Sequence, residues 1–260
     1  MLRLLDVLTG SYAEVKPART GLLRVAAHVG PGADEPDWAG VRVLLITDLL
    51  SRAAELRGLQ VLTAVVFPGP AAAQPSFAER AAGPLGIHPS AARASSVGAA
   101  ASLGGQVDVH IVRPAASVDT SSGGLVTRAG DTRVHTEGGA SGAGAMPGAE
   151  DPLAVRLALM SSPHHHAADL TGGVLASADD AIKQWRQRVA EWAESPSRPM
   201  PGHISKAFEA AFGDLDTGRA LALLHGLIED AALPAGAKFE TFAFADRILG
   251  LELARQVGRP

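Results

Sequence analysis

Between Gly21 and Gln60 the hydrophobic pattern changes period twice. Leu22, Leu23, Val25 and Ala27 form a short apolar run of the buried-strand kind, and Pro31, Gly32 and Pro36 then interrupt it. From Val41 the apolar positions Leu44, Leu45, Leu49 and Ala53 recur at three and four residues, which is one face of a helix. Asp37 can cap that helix and Gly58 can end it. Leu59 to Phe67 is a second buried strand. A strand, loop, helix and strand in this order predict a parallel crossover, and ligands of such sheets sit at the carboxyl ends of the strands, here near His28 to Asp37.

The rest of the chain follows from the same kind of pattern. Leu2, Leu4 and Leu5 predict a short edge strand with a turn at Thr9, Gly10 and Ser11. Ser76 is placed to cap a helix over Phe77 to Leu85, and His88 to Ala91 reads as a turn into another small helix. In Gly105 to Val112, Val107, Val109 and Ile111 alternate with Asp108 and His110, a half-exposed strand with its polar face toward a cleft. Residues 114–148 are rich in Ser, Gly, Ala and Thr around a hairpin-like VTRAGDTRVHT, and read as a mobile loop region. After Glu150 nearly everything is helical. Asp151 and Pro152 open a helix to Ser161, and further helices are predicted over Ala176 to Ala193, Ile204 to Phe212, Thr217 to Ala231 and Phe239 to Gly250. The fold class expected is therefore α/β: a Rossmann-like parallel sheet domain over 1–149, followed by a helical bundle over 150–260.

Composition narrows the function classes. Hydrophobic residues make up 47% and charged ones 19%, a globular balance. No cysteine is present, which removes disulfides, thiolate catalysis and zinc sites built on sulfur. A net charge of -4 without a Lys/Arg run argues against tRNA or DNA as a partner. No window reaches the length of a membrane span and the first residues lack a signal-peptide pattern, so the expectation is a cytoplasmic protein with no membrane partner.

Four stretches then carry a family resemblance: MLRLLDVLTG, HVGPGADEPDWAGVRVLLITDLL, PSFAERAAGPLGIHPS, and EDPLAVRLALMSS with FGDLDTGRALALLHGL. In this order the chain resembles the cysteinyl-tRNA synthetases and the cysteine ligases of mycothiol biosynthesis, enzymes of the class I synthetase fold, over about two thirds of its length. The resemblance implies a Rossmann-like domain of the HUP type, an ATP site and ATP-dependent activation of a small amino acid. The residues that would perform it are changed. Where that family has its H-I-G-H signature, this chain has Asp37, Trp38, Ala39 and Gly40, and Asp37 would repel a triphosphate. Where it has K-M-S-K-S, Thr132 to Thr136 keep Arg133 and His135 but no paired lysines. The first cysteine of the family's zinc set aligns with His28, no second cysteine exists, and Val107 to His110 match only the start of D-I-H-G-G-G.

Candidate ligand-binding residues are therefore His28, Asp37, Trp38, Arg42, Asp108, His110, Arg133 and His135, with no catalytic or metal-binding residue assigned. His28, Asp108 and His110 form either a residual ligand or metal site at the strand ends, or polar groups satisfied by loop backbone. Arg42 is expected to pair with Asp48 or Glu55. The run His164, His165 and His166 reads as a solvated loop, Asp214 and Asp216 as helix caps, and Trp185 with Trp192 as core. Two functional expectations follow. The first is a non-catalytic paralogue that binds a small amino acid or nucleotide, or a protein partner, with no cofactor assigned. The second is an ATP-dependent ligase with a remodelled site. A homodimer built on the helical half is a third.

Overall fold

The computed structural model describes residues 1–30, 36–69, 74–96, 98–114, 116, 123–135 and 149–259. Two short strands, β1 (Arg3–Asp6) and β2 (Ser11–Glu14), pair as an antiparallel hairpin around the Gly10 turn. Then come β3 (Leu22–His28), α1 (Trp38–Glu55), β4 (Gln60–Phe67), α2 (Phe77–Ala82), β5 (Ala92–Ser95), α3 (Ala99–Ser102), β6 (Val109–Val112) and β7 (Leu125–Arg128). The five strands from β3 to β7 form one parallel sheet in the order β5-β4-β3-β6-β7. This is an α/β, Rossmann-like sheet whose strand order reverses between β3 and β6. The hairpin extends it, with Val7 N–H donating to the Val126 carbonyl at 2.8 Å.

Pleat alternation sends β3 side chains to two different layers. Leu23, Val25 and Ala27 enter the main core under α1 with Val65, Phe67, Val109 and Ile111. Ala26 faces a small second core with Ala64, Val66, Ala99, Leu103 and Val107. The Asp37 side chain caps α1 as expected, and the helix runs from Trp38 to its C-cap Leu56, with Gly58 in the turn just beyond at φ +80°. Ser76 and Glu79 close a capping box on α2.

Beyond the sheet, β8 (Thr132–Val134) pairs in parallel with β9 (Ala168–Leu170), and α4 (Pro152–Met160) lies between them in sequence. The chain ends in α5 (Gly172–Ala193), α6 (Gly202–Gly213), α7 (Thr217–Ile228), α8 (Ala235–Leu249) and a 3-10 turn, Leu253–Gln256. Asp151 caps α4 and Asp216 caps α7. Trp185 and Trp192 are buried with their rings edge-on to Phe242.

A buried ionic node ties α1 to α4, to the end of α8 and to the loop after α2. Asp48 of α1 accepts from Arg156 of α4 at 2.6 Å and from Arg52 at 2.8 Å, and its other oxygen lies 3.0 Å from the His88 ring. Arg156 is fully buried and also donates to the carbonyls of Leu249 and Leu85. The φ of +62° at Gly250, which ends α8, lets that turn lie over the guanidiniums of Arg52 and Arg156. One continuous apolar cluster consequently runs from β3 and α1 through α4 and α5 to α8.

Several predicted elements differ. The stretch after His88 enters strand β5 instead of a small helix, because Ala92 to Ser95 pair with Ala64 to Phe67. VTRAGDTRVHT is no hairpin: β7 joins the main sheet beside β6, while β8 leaves it for β9. Strand β6 is buried throughout, not half-exposed, since it lies inside the sheet between β3 and β7 with all four residues buried. The predicted loop residues Pro31 and Gly32, Thr136, and much of the predicted loop region 114–148 lie outside the described residues. No helix among the described residues is long and apolar enough to cross a membrane.

Candidate functional site

The carboxyl ends of β3 and β6, where the strand order reverses, are where such sheets form a ligand crevice. His28 ends β3 and His110 lies within β6, both on the face that carries α3. Their rings meet there, with His28 Nε2 3.0 Å from His110 Nδ1. Burial, with His110 beside it, lowers the His28 pKa to about 4, so the imidazole is neutral near pH 7 and one ring donates to the other. A neutral His28 imidazole offers a ligand hydrogen bonds but no charge of its own.

Asp37 stands at the amino end of α1, beside this crevice. One carboxylate oxygen accepts from Gly40 N–H at 2.8 Å and the other from Gly30 N–H at 3.0 Å. Arg113, one residue beyond β6, brings its guanidinium to 3.0 Å from the same carboxylate. The helix terminus is thus already occupied by a carboxylate, and that carboxylate has a cation of its own.

The remaining candidates are drawn elsewhere. Asp108 sits at the other end of β6, where it accepts from the backbone N–H groups of Ala18 and Arg24, both at 2.7 Å. It staples the approach to β3 and does not join the histidine pair. Trp38 is buried edge-on to Phe77, a core contact between α1 and α2. Arg42 pairs with neither Asp48 nor Glu55. It is 1% exposed and donates to the carbonyls of Asp131 and Pro163, which binds α1 to the loops flanking β8 and β9, and burial lowers its pKa to about 10. Arg133 and His135 stand on the small sheet, with Asp169 3.7 Å from Arg133 and 3.2 Å from His135.

The histidine run is no uniformly solvated loop. His164 is buried against Thr127 and the Leu215 carbonyl, and burial lowers its pKa to about 3. His165 packs on Tyr12, and successive rings are turned 76° from each other. No group of three potential metal ligands converges among the described residues. Sequence reasoning missed Arg113, although a basic residue directly after the β6 pattern, at the end of a central strand, was the available signal. A concavity of about 600 Å³ lies between α4, α5 and α7 over Leu157, Ala158, Ala178, Trp185 and Leu221, and none of the candidate site residues lines it. The candidate site is placed at the histidine pair because polar groups converge there at the reversal of strand order.

Over 107 residues the chain is 28% identical to an L-cysteine:1D-myo-inositol 2-amino-2-deoxy-alpha-D-glucopyranoside ligase of Saccharopolyspora erythraea. Part of this chain is similar to a cysteine ligase. The match covers 40% of this chain and 25% of that ligase, a distant and partial relationship. No protein-family model matches the chain. That match supports a ligase-like relationship for the part of the chain it covers.

Proposed function

We propose that this protein is a cysteine-ligase-like binding protein that keeps a synthetase-type scaffold and no longer forms adenylates. Its ligand is a small molecule of the amino acid or nucleotide kind held in the crevice at His28 and His110, and its role is binding or regulation. The division into a sheet unit over 1–149 and a helical unit over 150–260 belongs to this reading.

The observation that supports it is that the basic side chains among the candidates already face partners of their own. Arg113 faces Asp37, Arg133 and His135 face Asp169, and Arg42 is buried on backbone carbonyls. Adenylate formation needs donors aimed at charge that develops on phosphate oxygens, and each donor removed costs a factor of roughly a hundred to a thousand. The experiment is pyrophosphate exchange with ATP and each amino acid in turn, beside thermal shift with ATP, cysteine and zinc. A ligand-dependent rise in melting temperature without exchange is expected. Exchange well above the enzyme-free rate overturns the proposal.

The similarity to a ligase favours a second reading, an ATP-dependent ligase acting on a small amino or carboxylic acid through Arg133, His135 and His110. It requires exchange in the same assay and its loss in Arg133→Ala and His135→Ala.

A further inference from the structure

We infer that Asp37 is the specificity-determining residue of the crevice: its carboxylate is a built-in anion that engages Arg113 and keeps phosphate groups out. The inference rests on the proposed ligand-binding role of that crevice.

Repulsion of an anion by Asp37 could be anticipated from the residue type alone, but the geometry adds occupancy. The Asp37 side chain is 10% exposed and its two oxygens are taken up by Gly30 N–H, Gly40 N–H and Arg113. The surroundings are closed around it: a Cβ on Gly30 would come to 2.8 Å from both Asp37 Oδ2 and Arg113 Nη1, and one on Gly40 would overlap the same carboxylate. Arg113, by contrast, keeps 38% of its side chain exposed. Its guanidinium is the cation an incoming phosphate oxygen would need, and Asp37 neutralises it within one salt bridge. A phosphate must then displace a carboxylate held by three contacts or sit beside it against like-charge repulsion. The same pair puts no net charge in the way of an uncharged group. The crevice therefore takes ligands whose near end is uncharged, and Arg113 serves as a locked cation.

The test is a gain of function in the full chain, using inorganic pyrophosphate as the probe. Asp37→Asn removes the charge while its amide oxygen can still accept from Gly40 N–H, so the cap survives; Asp37→Ser, another good capping residue, is the second variant should the first not fold. Calorimetric titration is expected to show no saturable binding to the parent protein. In the Asp37 variants, binding should be tighter by about tenfold or more and should weaken with added salt, as for a newly freed guanidinium. Adding Arg113→Met to Asp37→Asn should abolish the gain.

Equal pyrophosphate affinity in parent and folded Asp37 variants overturns the inference, and so does a gain that survives loss of Arg113. Pyrophosphate exchange by the parent protein would overturn the proposed function instead, so the two failures are read in separate assays.

Discussion

Replacing Arg156 by Met tests whether the buried node holds α1, α4 and the end of α8 together. The substitution keeps most of the side-chain length and removes three contacts: the 2.6 Å bond to Asp48, the 2.6 Å bond to the Leu249 carbonyl and the 3.1 Å bond to the Leu85 carbonyl. Breaking a buried pair from one side typically costs about 3–5 kcal/mol, because the partner charge is stranded. Here Asp48 keeps Arg52 at 2.8 Å and the His88 backbone N–H at 3.2 Å, which reduces that penalty. The two carbonyls lose their buried donor and restore part of it, at about 1–3 kcal/mol each. The expected loss is therefore about 3–5 kcal/mol, a large share of the stability of an ordinary domain. Asp48→Asn alone leaves Arg156 buried on two carbonyls with only Asp246 as a counter-charge. The double variant removes both charges and should cost about 1–3 kcal/mol less than the sum of the single ones. Urea unfolding of all four proteins, with the denaturant slopes compared, measures this. Additive costs within about 0.5 kcal/mol, or a cost under about 1 kcal/mol for Arg156→Met, would refute the reasoning.

Three further outcomes follow from individual positions. His164 and His28 titrate in the folded chain near 3 and 4, below the ordinary 6.5, so the folded state binds fewer protons than the unfolded one. Their contribution is present above pH 6.5 and drains away as the pH falls toward those values; His164→Gln should flatten the midpoint-against-pH profile between pH 6.5 and 4.5 by up to about 1.4 kcal/mol per pH unit. Gly130→Ala drives a Cβ into the His166 carbonyl, where the Gly130 and His164 backbones are hydrogen-bonded, and should cost about 1–3 kcal/mol in urea unfolding. Trp38→Ala should cost about 3–5 kcal/mol through the emptied contact with Phe77, while Trp38→Phe, titrated with any thermal-shift ligand, should leave its affinity unchanged.

Legibility along the chain followed the strength of local signals. Strand β3, helix α1 and strand β4 could be read because each carries a complete pattern: an apolar run, a capping aspartate, helical spacing and a second run. Strands β5 and β9 could not be read, since ARAS and ADL are too short for their alternation to mark a strand, and their extended form comes from pairing with β4 and β8. The segment around Gly130 carries the residues of a turn, yet its two strands go to different sheets, a choice made by the His164 turn packed against it. In the candidate site, His28 and His110 were visible as polar residues on apolar strands. Their contact was not, because it spans 82 positions and exists only through the adjacency of β3 and β6. The Asp37 and Arg113 pair was hidden for the same reason.

The stretches that carry the family resemblance hold several groups that serve the fold. Arg42, Asp48, Asp151 and Arg156 all lie within the matching stretches, and each binds structure to structure. Arg42 joins α1 to the flanking loops, Asp48 and Arg156 join α1 to α4, and Asp151 caps α4 while pairing with Arg186 of α5. Such groups are hard to exchange singly, because removing one leaves a buried charge or carbonyl unpaired. Asp37 carries the same kind of penalty, since it caps α1 and accepts from Gly30 and Gly40 N–H, whereas Arg113 is partly exposed and has Asp37 as its counter-charge. In the proposed reading, the charge state of the Asp37 and Arg113 pair, not the resemblance of the helices around it, selects the ligand.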